Sequence, residues 1–229
     1  MSSQKPDVKT LIQNAQVQGL STNRALPQAT RAIISKADKA QRLLTHEELE
    51  DICQASGVDG GLPGNLLRRA DQLVNQARAH LLEAQPQLVE PGGPLFPAER
   101  AEACWRDCWN FLRVIIYAVA CNQSTFTNPQ GMAALRELYR QMNVPTEGMN
   151  IALDQLKELV LEGVLQESEG LRSRMSYALR RRMGHAKASG ARGGMLQLAV
   201  DILILASVPT RRPHGPSLCA QLRPHVCLW

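Results

Sequence analysis

Apolar positions recur every three to four residues along most of this chain, which is the spacing of amphipathic helices. The clearest run covers residues 98–121 and contains no Pro or Gly. At helical spacing, four of its side chains share one face: Cys104, Asp107, Cys108 and Phe111. Arg106 is predicted to sit beside that face. The pattern predicts an all-α protein organised around this helix.

The same spacing predicts further helices over residues 28–43, 45–55, 65–83, 130–142, 147–163 and 166–183. Thr45 and Glu48 have the spacing of a capping box, with Thr45 as the N-cap of the second helix. Residues 56–64 are rich in Gly and Pro and predict a break, after which Asn65 is expected to cap the long third helix.

These elements divide the chain into three zones. Residues 1–26 are polar and irregular, and predict a flexible arm. Residues 27–183 predict one folded domain, in which 27–55 resemble a docking hairpin as much as core. Residues 184–229 form a basic and apolar tail, whose apolar stretch 195–208 is shorter than the roughly 20 residues that span a bilayer. That stretch is expected to pack as a helix or to lie on a membrane surface.

The distribution of charge and the cysteine content argue against several classes of function. The net charge is +5, and the tail contributes five basic side chains against one acidic side chain. The near-neutral remainder argues against nucleic-acid binding, while the tail favours an acidic partner or a membrane surface. The six Cys include no CxxC pair, and the N-terminus lacks a signal-peptide pattern, which predicts free thiols and no metal site. An enzyme is the least favoured class, because no nucleophile–base pair or phosphate loop is evident.

Several motifs resemble a phycobiliprotein subunit, and the nearest type is the α subunit of allophycocyanin. The resemblance rests on Pro91-Gly92-Gly93, Ala103-Cys104-x-Arg106-Asp107, Phe111-Leu112-Arg113, Leu135-Arg136-Glu137-Leu138-Tyr139 and Val144-Pro145. Upstream, residues 36–49 are similar to the N-terminal helical pair of that family. The resemblance covers about residues 28–165.

The resemblance implies a globin-like, all-α fold that carries a linear tetrapyrrole (a bilin of the phycocyanobilin type). The pigment would be joined through a thioether to Cys104. Arg106 would hold a propionate, and Asp107 would accept hydrogen bonds from the pyrrole nitrogens. Tyr139 would lie near the far end of the pigment, and Trp109 would form an aromatic wall beside it.

The function implied is light harvesting, with excitation passed through a phycobilisome towards a photosystem at the cytoplasmic (stromal) face of the thylakoid membrane. The implied partners are a β-type subunit, in a heterodimer and larger ring, and linker proteins. Asp38 and Arg113 match positions that meet across the subunit pair. Departures from the family at Pro94, Asn110 and 121–123 leave an alternative open. That alternative is a pigment-poor adaptor on the same scaffold, which docks partners or a membrane through its tail.

Simpler interpretations of the same side chains remain. Cys104 could be an ordinary buried thiol, and Cys108 is predicted to be core. Trp105, Trp109 and Tyr139 could each fill the core rather than contact a pigment.

Overall fold

The computed structural model describes residues 7–162. The predictions for residues 1–6, for the helix over 166–183 and for the tail 184–229 lie outside the described residues.

The described residues form seven α-helices: α1 (Val8–Asn14), α2 (Gln28–Lys39), α3 (His46–Ser56), α4 (Gly61–Ala84), α5 (Ala98–Ala120), α6 (Pro129–Gln141) and α7, which is helical from 146 to 162. Short 3₁₀ turns lie at Leu20–Thr22 and Pro86–Leu88. Between residues 7 and 162 there is no strand beyond one isolated bridge, Gln18 to Thr127. The predicted all-α, globin-like class is confirmed.

Helix α3 begins as its sequence predicts. The Thr45 hydroxyl accepts a hydrogen bond from the Glu48 backbone N–H at 3.2 Å. The Glu48 carboxylate accepts one from the Thr45 backbone N–H at 2.9 Å. This reciprocal capping box satisfies two backbone donors that the first turn of a helix leaves without partners.

Helix α4 begins earlier than predicted. It starts at Gly61, so Asn65 lies inside the helix rather than at its N-cap. Pro63 falls in the first turn, where a missing N–H costs nothing because that donor has no intrahelical partner. The Asp59 carboxylate accepts a hydrogen bond from the Gly61 N–H at 2.9 Å. The Gly/Pro-rich segment was therefore wrongly predicted to be loop over its whole length.

Helix α5 is the central element, and its side chains are buried on most of its circumference. It packs against α4 and α3, with Leu73 of α4 and with Leu112 and Ile116 of α5 fully buried. The prediction that this helix organises the chain is confirmed. Among the residues the structure describes, none of the helices has the length and apolar character needed to cross a membrane.

The N-terminal segment, residues 7–26, differs from the predicted flexible arm. Its helix α1 packs against α6, and Leu11 and Leu20 are buried. Gly19 N–H donates to the Phe126 carbonyl at 2.7 Å. Gly131 lets α6 approach the backbone of Gln16, because a Cβ at Gly131 would lie 1.8 Å from the Gln16 carbonyl oxygen. The sequence did not reveal this packing, because α1 and α6 are separated by more than a hundred residues and the spacing within each segment says nothing about the other.

Candidate functional site

One side of α5 brings together sulfur and carboxylate groups in a buried cluster. We call this the thiol cluster, and its members are Cys104, Asp107, Cys108, Tyr139 and Met149. Cys104, Asp107 and Cys108 share a face of α5, as their spacing predicts, while Tyr139 comes from α6 and Met149 from α7. Residue exposure is 5% for Cys104, 1% for Asp107 and 2% for Tyr139. The cluster is therefore closed to bulk water.

A phenol–carboxylate hydrogen bond ties α6 to α5 in this cluster. The Tyr139 hydroxyl donates to Asp107 Oδ2 at 2.8 Å. Burial first, and then the charge of Asp107, raise the pKa of Tyr139 well above its usual value. Tyr139 therefore keeps its proton and supplies a permanent donor to the carboxylate.

Two thiols and a thioether follow one another across the cluster. The Cys108 thiol interacts with the Cys104 thiol one helical turn before it. On its other side, Cys108 Sγ lies 3.6 Å from Met149 Sδ. The interaction with Cys104, and then burial, raise the pKa of Cys108 well above its usual value. Cys108 is buried as predicted, and its thiol donates to the Met149 thioether of α7.

Arg106 and Trp109 lie away from the thiol cluster. The Arg106 side chain is exposed, and its backbone carbonyl accepts a hydrogen bond from the Asn110 amide at 3.0 Å. The indole N–H of half-buried Trp109 donates to Asp71 Oδ1 of α4 at 2.9 Å. Arg106 is therefore not beside the Cys104 face, because a separation of two residues turns a helical side chain by about 200°. Of the predicted pigment contacts, the structure groups Cys104, Asp107 and Tyr139.

The indole of Trp105 also faces α4. The Arg78 guanidinium lies 5.3 Å from the centroid of its ring, and Arg78 Nη1 is 3.5 Å from Glu102 Oε1. Trp105 therefore joins α5 to α4 through a cation–π contact.

A second polar cluster lies two turns further along α5. We call it the guanidinium cluster, and its members are Arg113, Asp38, Asn110, Tyr117 and Arg42. Arg113 is 1% exposed and donates to Asp38 Oδ1 at 2.8 Å, Tyr117 Oη at 3.0 Å and Asn110 Oδ1 at 3.1 Å. The Tyr117 hydroxyl donates in turn to the Arg42 carbonyl. Asp38 and Arg113, predicted to serve a partner interface, here join α2 to α5 within one chain.

Two side-chain contacts were not predicted from the sequence: that of Asn110 with Arg113, and that of Met149 with Cys108. Asn110 stood out as a departure from the family, and its i, i+3 spacing to Arg113 is the signal that could have revealed the hydrogen bond. Met149 gave no such signal, because its contact with Cys108 joins two helices forty-one residues apart.

Comparison of the sequence with known proteins identifies the family of this chain. Residues 32–181 match the sequence profile of the phycobilisome protein family. The chain belongs to the phycobilisome protein family.

Individual relatives are similar to the same part of the chain. A C-phycocyanin β subunit from Mastigocladus laminosus is 28% identical over 134 residues, which is 56% of this chain and 76% of the relative. An allophycocyanin α chain from a Synechocystis strain is 29% identical over 145 residues, which is 61% of this chain and 88% of the relative. The resemblance to allophycocyanin chains is confirmed, and it extends to phycocyanin chains.

Among solved structures, the chain is similar to a far-red fluorescent biliprotein derived from an allophycocyanin F subunit of Chroococcidiopsis thermalis. The two are 19% identical with a TM-score of 0.48, and the match covers 64% of this chain and 93% of that one.

Proposed function

We propose that this chain is a light-harvesting phycobilisome subunit that carries a linear tetrapyrrole through a thioether to Cys104. The observation that supports this best is the thiol cluster, in which the attachment thiol and a buried carboxylate share one face of α5. Membership of the phycobilisome protein family supports the same function. This family consists of light-harvesting pigment proteins rather than enzymes.

The donor set of the cluster fits a bilin. The Cys104 sulfur can form the thioether, and Asp107, one turn away, can accept hydrogen bonds from pyrrole N–H groups. The hydroxyl of Tyr139 holds one oxygen of that carboxylate in place. The exposed guanidinium of Arg106 can pair with a propionate at the solvent boundary. When bound, the pigment supplies light absorption, while the chain orients it and restricts its motion.

Some predicted contacts receive a different role under this proposal. Because Trp109 donates its indole N–H to Asp71, it is better placed to fix α4 against α5 than to wall a pigment on the Cys104 side. The burial of Cys104, Asp107 and Tyr139 means that a pigment must displace neighbouring side chains to reach the sulfur. Attachment is therefore expected to need a lyase or a partly open form of the chain.

The proposed partners are a β-type subunit, which completes a heterodimer and a larger ring, and linker proteins. In this proposal the Asp38–Arg113 ion pair holds α2 against α5, so that α2 and α3 present a fixed surface to the partner subunit. The assembly would sit peripherally at the cytoplasmic (stromal) face of the thylakoid membrane and pass excitation towards a photosystem.

Coexpression with a bilin source and a lyase tests the proposal. The wild-type chain should show zinc-induced fluorescence as a denatured band, which reports a covalent bilin. Cys104→Ala should lose all of that fluorescence, and the matched variant Cys121→Ala, also buried, should keep it. Covalent pigment on the Cys104→Ala chain, or none on the wild type with active lyase present, would overturn the proposal.

A further inference from the structure

Arg100, Cys104 and Cys108 follow one another at intervals of four residues along α5, so they form a row on one side of the helix. The two outer members, Arg100 and Cys108, both contact one short segment that joins α6 to α7. We call this segment, residues 142–149, the strap. Because the strap contacts the row on both sides of Cys104, it passes over the Cys104 sulfur. Cys104 is 5% exposed.

Arg100 holds the beginning of the strap. Its Nη2 donates to the backbone carbonyls of Met142 at 3.3 Å and of Asn143 at 3.2 Å. Its Nε donates to the Pro94 carbonyl at 2.8 Å. The strap carbonyls lie just beyond the C-terminus of α6, where a helix leaves carbonyls without intrahelical partners and favours a cation. Arg100 therefore joins the strap to α5 and to the turn that precedes α5.

The end of the strap is held by packing. The Cys108 thiol donates to Met149 Sδ at 3.6 Å, and Met149 is 3% exposed. Gly148 is buried against the 3₁₀ turn that follows α4, where a Cβ would lie 3.2 Å from Leu88 Cδ1. A thiol and a thioether form only a weak hydrogen bond, whereas a guanidinium forms strong ones. The polar contacts that keep the strap closed are therefore mainly those of Arg100.

We propose that the strap is a lid over the Cys104 sulfur, and that Arg100 is the positioning residue that keeps it closed. The inference rests on the proposed function, because it names the segment that must move before a pigment reaches this sulfur. Opening exchanges the Arg100 hydrogen bonds on the strap for hydrogen bonds to water. The bond between Tyr139 and Asp107 survives, because it joins α5 to α6 rather than to the strap.

Labelling of the native, pigment-free chain with methyl methanethiosulfonate at one fixed pH measures this opening. Trypsin cuts after Arg106 and Arg113, so Cys104, Cys108 and Cys121 fall in separate peptides, and mass spectrometry gives the labelling rate of each. Each rate is divided by the rate of the same cysteine in the urea-unfolded chain, which removes differences in intrinsic reactivity. Cys121 is 1% exposed and lies at the other end of α5, so it reports opening of the domain elsewhere.

Arg100→Ala should raise the labelling rate of Cys104 relative to that of Cys121 about 10- to 100-fold, because hydrogen bonds from a charged group are lost. Arg100→Lys should recover part of the protection, since it keeps the cation without the planar guanidinium. Arg140→Ala is the matched control. Arg140 lies in the last turn of α6 and donates to Glu137 of the same helix, so the ratio should not change. An unchanged ratio in Arg100→Ala would overturn the proposal.

The labelling of Cys108 distinguishes a lid from simple shielding by the Arg100 side chain. Lifting the strap uncovers both sulfurs, so Cys108 should accelerate together with Cys104 in Arg100→Ala. Acceleration at Cys104 alone would mean that Arg100 only covers that sulfur, and it would contradict the lid.

Gly148→Val tests the lid with Arg100 left in place. It adds branched carbons where a single Cβ already lies 3.2 Å from the Leu88 side chain, so it should push the strap outwards. Labelling of Cys104 and Cys108 should again rise relative to Cys121, and an unchanged ratio here would also count against the lid.

Pigment loading separates this inference from the proposed function. With the lyase present in limiting amount, Gly148→Val should acquire covalent bilin faster than the wild type, and equal rates would contradict the lid. If the wild-type chain takes no pigment even with excess lyase, the proposed function fails. The labelling ratios then still decide whether the strap controls access to Cys104.

Discussion

The thiol cluster and the guanidinium cluster lie on the same helix, but their charges are balanced differently. In the guanidinium cluster the buried cation of Arg113 meets the carboxylate of Asp38 at 2.8 Å. In the thiol cluster Asp107 meets the neutral hydroxyl of Tyr139. The guanidinium cluster thus brings two opposite charges together, whereas the contact between Asp107 and Tyr139 joins a carboxylate to a neutral donor. The first cluster therefore holds α2 against α5, and the second contains the residues at which pigment attachment is proposed.

The largest loss of stability is expected when the ion pair between Asp38 and Arg113 is broken. Asp38→Ala leaves the Arg113 guanidinium buried without its carboxylate, which should lower the free energy of unfolding by about 3–5 kcal/mol. Urea denaturation measures the loss. Asp71→Ala is the matched control, because Asp71 is exposed and should cost under about 1 kcal/mol. If the free energy of unfolding fell equally in the two variants, the burial of Arg113 would not be the reason that its ion pair stabilises the fold.

A smaller effect is expected from the phenol of the thiol cluster. Tyr139→Phe removes a hydrogen bond to a buried carboxylate, so the free energy of unfolding should fall by about 1.5–3 kcal/mol. Tyr117→Phe is the counterpart in the guanidinium cluster. It removes one hydrogen bond from the charged Arg113 guanidinium and one to the Arg42 carbonyl, so it should cost at least as much, about 2–4 kcal/mol. A clearly greater loss for Tyr139→Phe than for Tyr117→Phe would contradict this count of hydrogen bonds.

The smallest effect is expected at the edge of the guanidinium cluster, where Glu48 accepts two hydrogen bonds from Arg42, each 2.7 Å long. These bonds lower the pKa of Glu48 to about 2. In the unfolded chain the value is about 4.3, so the stabilisation is complete above that pH and is lost as the pH falls towards 2.

Glu48→Gln should therefore cost about 1 kcal/mol at pH 7 and almost nothing near pH 2. Urea midpoints for the wild type and the variant, measured between pH 7 and pH 2, test this difference. If the difference in urea midpoint between the wild type and Glu48→Gln stayed the same from pH 7 to pH 2, the ion pair between Arg42 and Glu48 would not be the cause of that difference.

The sequence was sufficient to predict what depends on neighbouring residues. Helix α5, the capping box of α3 and the shared face of Cys104 and Asp107 all follow from spacing within one or two helical turns. The start of α4 was missed, because Pro63 breaks a helix only beyond its first turn.

Contacts between distant segments were not predictable in the same way. Tyr139 could be associated with Cys104 only through the family resemblance, and nothing in the spacing connects Met149 to Cys108. Arg113 was matched to a position that meets a partner subunit, yet its carboxylate partner in the structure is Asp38 of its own chain. Such contacts depend on how the helices pack, which local patterns do not specify.

The packing of the N-terminal segment also affects how the protein should be shortened. The family match begins at residue 32, so a truncation planned on family boundaries would remove residues 7–26. It would uncover the face of α6 around Gly131, where no side chain can shield the backbone. It would also leave the Phe126 carbonyl without the Gly19 N–H. A shortened chain that stays soluble should therefore begin before Asp7, whose side chain caps α1.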